Sequence, residues 1–153
     1  MAVPDLFFCE QTIQIVSRLS EVKDEETKEK LFQSFAQLAI FAGVWSISKN
    51  LKPKKLQNRS REIPGTAIEN GEFDKVIDVI LLSISKDVEI LDPKNTKDNY
   101  LVFEEYVNSG LLDLQKFLKN EDNDHIGLNK ILHYLKEMSP QKVEKPDTSQ
   151  IKI

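Results

Sequence analysis

Apolar residues recur along most of this chain at spacings of three and four, the period of an amphipathic helix. Leu6, Cys9, Ile13, Val16 and Leu19 form one such stripe. With Asp5 placed to cap it, the pattern predicts a first helix ending near Val22. The run "KDEETKEK" sets acids ahead of bases, which suits the opening turns and dipole of a second helix. Leu31, Phe35, Leu38 and Ala42 carry its inner face, joined by Phe32, Ala39 and Phe41. So wide an apolar arc predicts a place at the centre of the core.

After Trp45 the pattern lapses. "SKNLKPKKLQNRSREIPG" is poor in apolar residues, holds two prolines and a glycine, and reads as a long connection. Phe73, Val76, Ile77, Ile80, Leu81 and Ile84 restore a helical period, and "DPKN" is a turn with Asn95 or Thr96 as the next cap. Tyr100, Leu101, Phe103, Tyr106 and Val107 then lead to Asn108, Ser109 and Gly110. Asn and Gly tolerate left-handed backbone, so a corner is expected here, with a new helix beginning at Leu111, Leu112 and Leu114. On that reading a β-branched residue at Gly110 destabilises the fold. A last short helix, "LNKILHYLKEM", turns Leu128, Ile131, Leu132 and Leu135 inward. The sum is an all-α protein: a compact bundle of about five helices forming one domain over residues 1–138, with a disordered tail over 139–153.

A length of 153 residues fits that single domain, and a net charge of -4 is too mild to dictate a partner. One cysteine precludes an internal disulfide framework and points to a reducing cytoplasm. The N-terminus lacks the pattern of a secretory signal, and the longest apolar stretch, near "LAIFAGVW", falls well short of a membrane span.

The sequence carries no recognisable catalytic or metal-binding pattern. His125 and His133 lie in no ligand motif, Cys9 shares the first apolar stripe, and the adjacent Glu104 and Glu105 diverge on a helix and are expected at a solvated edge. "GTAIENG" lacks the lysine of a phosphate loop, and "EDNDH" lacks the ligand ladder of a calcium loop. No enzyme activity, cofactor or metal is expected. What does stand out is the basic connection, where Lys49, Lys52, Lys54, Lys55, Arg59 and Arg61 precede the first acid at Glu62. Such a segment can follow a phosphate backbone, and Lys52, Lys54, Lys55, Arg59 and Arg61 are the candidate nucleic-acid contacts. Trp45, at its base, is expected in the core.

"FEEYVNSGLLDLQKFL" resembles the most distinctive segment of the small helical proteins associated with DNA phosphorothioation (Dnd) systems. Phe103, Glu104, Glu105, Tyr106, Asn108, Gly110 and Leu111 match that pattern; Val107 and Ser109 replace its alanine and a glycine. "LFQSFAQLAIFAGV", "LKPKKLQNRSREIP" and "FDKVIDVILLSISKDVEIL" are similar to further segments, so the resemblance covers about residues 30 to 135 and leaves 5 to 22 outside it. It implies a genomic setting of defence against foreign DNA and brings no catalytic residues. The leading expectation is a non-enzymatic accessory subunit of a DNA-targeting antiphage or restriction system, bound to a larger ATPase or nuclease, with the DNA backbone as a further candidate contact. A helical small subunit of a CRISPR-type effector complex is the alternative, and a nuclease of unrecognised type a further rival.

Overall fold

A computed structural model describes residues 2–118 and 128–138. Among them are six helices, α1 (Ile13–Ser20), α2 (Phe35–Ser48), α3 (Gly65–Asn70), α4 (Phe73–Ser85), α5 (Thr96–Phe117) and α6 (Leu128–Met138). Two strands, β1 (Leu6–Cys9) and β2 (Arg59–Ile63), pair antiparallel across the fold. The expected tail over 139–153 and residues 119–127, among them His125, lie outside the described residues.

The core is organised on α2 and α5, which pack on each other more extensively than any other two elements. Ser34 caps α2 by accepting the Gln37 N–H at 3.2 Å, and the Gln37 side chain accepts the Gln33 N–H at 2.9 Å. This is close to a capping box, and it starts the helix at Phe35. The preceding "KDEETKEK" is not helical, contrary to expectation. Asp24 there accepts from the Thr27 hydroxyl, Lys28 takes a left-handed φ of 61°, and a bridge joins Lys23 to Lys30. Local side-chain bonds compete with helix in such a segment, and no apolar residue anchors the alternative.

Residues 6–9 depart from expectation as well. Leu6, Phe8 and Ile63 are buried as the sheet's inward positions, and the Asp5 carboxylate accepts the Gly65 N–H at 2.7 Å instead of capping a helix. The spacing from Leu6 to Cys9 fits a helix, but alternation over four residues fits a strand equally, and pairing with β2 decides it. Gly65 is required where it stands, because a Cβ would overlap the Val3 carbonyl. The small sheet corrects the all-α assignment at this one place.

The helix α5 runs without a break through Asn108, Ser109 and Gly110, so no corner exists there. None of the non-glycine residues with positive φ lies in α5. What Gly110 provides is proximity: a Cβ would overlap the Ala42 carbonyl of α2. A Cβ at Gly43 would likewise meet Phe103 Cε2 at 2.8 Å. Small residues on both helices thus bring two backbones together, and Phe103 fills the space alongside.

At the far end Trp45, buried as expected, donates its indole N–H to Asp113 at 2.8 Å. Lys49 pairs with the same carboxylate at 2.6 Å, and its ammonium lies 5.2 Å from the Trp45 ring, 5.9 Å from Phe117 and 5.7 Å from Tyr134. Burial alone would push the Asp113 carboxyl up, but the bonds from Lys49 and Trp45 outweigh it and hold the group below the usual range. Tyr134 and Ile131 seat α6 on this cluster. Leu132 and Leu135, expected inward, are each 42% exposed, because the buried stripe of α6 runs through Ile131 and Tyr134.

Replacing a helical glycine with alanine ordinarily gains about 1 kcal/mol. Gly110→Ala is expected to lose about 2–3 kcal/mol instead, since the Ala42 carbonyl cannot move aside without shifting α2. Urea unfolding gives the sign directly.

Candidate nucleic-acid interface

The basic connection is held to the core by its backbone. Leu51 N–H bonds to the Ser46 carbonyl, Lys54 N–H donates to the Glu105 carbonyl at 3.1 Å, and the Asn108 amide donates to the carbonyls of Lys54 and Lys55 at 3.1 and 3.3 Å. Farther on, Glu10 N–H bonds to Asn58 O and β2 joins the ladder. The segment is therefore a strap with a set path and not a free loop. The side chains of Lys52, Lys54 and Lys55 point into solvent and form no ion pair with any described residue.

Arg59 and Arg61 differ from the lysines. Arg59 pairs with Glu104 at 2.7 Å and lies over the Phe7 ring at 5.1 Å. Arg61 pairs with Glu21 at 3.2 Å and lies over Phe35 at 5.8 Å. The register passes from Phe8↔Arg61 to Cys9↔Arg59, leaving Ser60 without a partner, and this irregularity lets the two guanidiniums reach different rings. Each remains about half exposed, at 45% and 46%. The five candidate residues thus lie along one strap, but three are unpaired and two already serve the fold.

Glu104 departs most from the expectation of a solvated edge. It is 3% exposed, accepts the Phe7 N–H at 2.9 Å on one oxygen and holds Arg59 with the other. Burial raises its carboxyl above the usual range, against the pull of the Phe7 N–H and the Arg59 charge. Its place was detectable: Tyr100, Phe103, Val107, Leu111 and Leu114 define the buried stripe of α5, and Glu104 and Asn108 both fall within it. A cleft of about 310 Å³ beside the strap is lined by Lys55, Leu56, Arg59, Leu101, Glu104 and Glu105.

Other titratable groups are dispersed. Cys9 is buried as the stripe implied, and its sulfur accepts the Gln11 N–H at 3.3 Å. His133 is exposed and lies 3.0 Å from Glu137. Burial, with Asp78 and Asp74 nearby, pushes the Tyr100 phenol far up. Among the described residues no group of His, Cys, Asp and Glu has the arrangement to hold a metal, and no helix is long and apolar enough to cross a membrane.

Comparison with known families matches residues 10–151 to the model of the family described as DNA sulphur modification system-associated protein 4. The match runs beyond the 30–135 region of resemblance at both ends and takes in α1. No curated protein and no solved structure matches the chain. The chain belongs to the DNA sulphur modification system-associated protein 4 family.

Two substitutions separate charge from bonding at Glu104. Glu104→Ala strands the Phe7 N–H and leaves Arg59 without its carboxylate, and is expected to cost about 2–4 kcal/mol. Glu104→Gln keeps an acceptor for Phe7 and is expected to cost less. Because the folded-state carboxyl is raised, its protonation favours the fold. Stability from this group is full below the ordinary value of 4.5 and is lost as pH rises through the raised value. The Gln variant lacks this loss, so its stability relative to the native chain should rise across that window in denaturant titrations.

Proposed function

We propose that this member of the DNA sulphur modification system-associated protein 4 family is a non-enzymatic accessory subunit of a DNA-targeting defence system in the cytoplasm. It binds a larger ATPase or nuclease subunit and lays its basic strap along a DNA backbone. Family membership supports the setting. The observation that carries the DNA contact is the construction of the strap. Lys54 and Lys55 have their backbones fixed by Glu105 and Asn108 while their ammonium groups stay free in solvent.

A fixed backbone lowers the ordering cost of binding, and an unpaired ammonium need not break an existing ion pair to meet a phosphate. Lys52 extends the row. Arg59 and Arg61 contribute less, because a phosphate must compete with Glu104 and Glu21 for them. Such contacts position a protein on DNA without reading its bases.

Lys54 and Lys55 replaced together by alanine should flatten the salt dependence of DNA binding in the assembled complex by roughly two units in log–log slope. Sequence preference and melting temperature should be unchanged, as exposed lysines contribute little to stability. Affinity and slope equal to those of the native chain would sink the DNA contact.

A further inference from the structure

The two-stranded sheet has two outer edges, and the fold occupies one of them. On the β1 side the Phe7 N–H is taken by Glu104 and so points away from β2. An antiparallel ladder alternates bonded and non-bonded pairs, so Leu6↔Ile63 and Phe8↔Arg61 carry the hydrogen bonds while Phe7↔Glu62 exchanges none. Glu62 therefore directs its own N–H and C=O off the opposite edge, where neither has a backbone partner among the described residues. Ser60, Arg61 and Glu62 are all exposed.

Open peptide groups on an exposed edge are a template for another strand. The charges around this edge select which strand. Arg59 and Arg61 each retain about half their surface in solvent, and Lys54 and Lys55 lie just upstream. Glu62 is the one acid in β2, and a hydrogen bond with Asp5 and the charge of Asp5 already push its carboxyl up. A second copy of β2 would set like charges side by side, which disfavours self-pairing. Glu104 and Glu21 each engage one guanidinium nitrogen, so an extended segment bearing carboxylates can meet the exposed remainder of each fork.

We infer that the outer edge of β2 is a docking strand that takes an extended, acidic segment of the larger subunit by strand addition at Ser60–Glu62. This rests on the accessory-subunit reading and names the chemistry of the partner's contact. The lysines upstream stay available for phosphate.

The Glu62 N–H faces outward, so Glu62→Pro deletes the docking donor while leaving the β1–β2 ladder its bonds; proline is tolerated at such edge positions. Glu62→Ala removes the charge and keeps the donor. Each full-length variant is titrated against the purified large proteins of the same DNA sulphur modification system. The Ala variant should bind at least as tightly as the native chain, whereas the Pro variant should bind at least about tenfold more weakly, or ~1.4 kcal/mol. Independently of any variant, hydrogen exchange at the Glu62 amide of the native chain should slow in the complex. Equal binding by the two variants, or an unprotected Glu62 amide, overturns the docking strand alone. Protection by a duplex oligonucleotide without protein assigns the edge to nucleic acid and overturns it too. Failure of the native chain to form any complex overturns the accessory-subunit reading and this inference with it.

Discussion

A buried carboxylate needs partners, and the way Glu104 finds them sets the arrangement of everything on the basic side of this protein. Its two oxygens reach Phe7 of β1 and Arg59 of β2 from the middle of α5. One side chain thereby ties both strands to the central helix. An ionised carboxylate in such a place is costly unless it is paired and hydrogen-bonded. The positions of β1, of Arg59 and of the strap before it are in that sense conditions of burying Glu104. One turn later Asn108 extends the same logic, spending its amide on the carbonyls of Lys54 and Lys55.

The helix that carries these two groups can serve as a bracket because it is unbroken and tightly backed. Gly110 lets α5 approach α2 to backbone contact, and Phe103 packs against Gly43. A kinked or loosely held α5 would leave Glu104 and Asn108 imprecisely placed. A polar bracket needs a rigid support, since an unsatisfied buried group costs more than a satisfied one gains. The aromatic cluster of Trp45, Phe117 and Tyr134 around Lys49 gives the other end of the same helix pair its attachment to α6.

Electrostatically, the strap divides its cations by task. Lys49 is turned into the aromatic cluster, Arg59 and Arg61 hold carboxylates, and Lys52, Lys54 and Lys55 remain in solvent. The division follows side-chain chemistry. Guanidiniums, planar and weakly hydrated, suit pairing against aromatic faces at the sheet, while strongly hydrated ammonium groups suit a surface. A net charge of -4 for the whole chain conceals this local organisation.

The residues alone determined whatever depends on short-range periodicity. The helices α2, α4 and α6, the helical character of both halves of α5, the burial of Cys9 and Trp45, the basic connection and the Dnd relationship could all be read from the chain. Even Glu104 was partly legible, since it occupies the apolar stripe of α5 between Phe103 and Val107. Tertiary structure decided the rest. Four residues from Leu6 to Cys9 satisfy helix and strand patterns alike, and only β2, some fifty residues on, makes them a strand. Asn-Ser-Gly reads locally as a helix end, yet contact with Ala42 makes it a site of close packing. Both ambiguities have one physical cause: a backbone preference of about 1 kcal/mol per residue is smaller than the packing and buried hydrogen bonding supplied by distant segments.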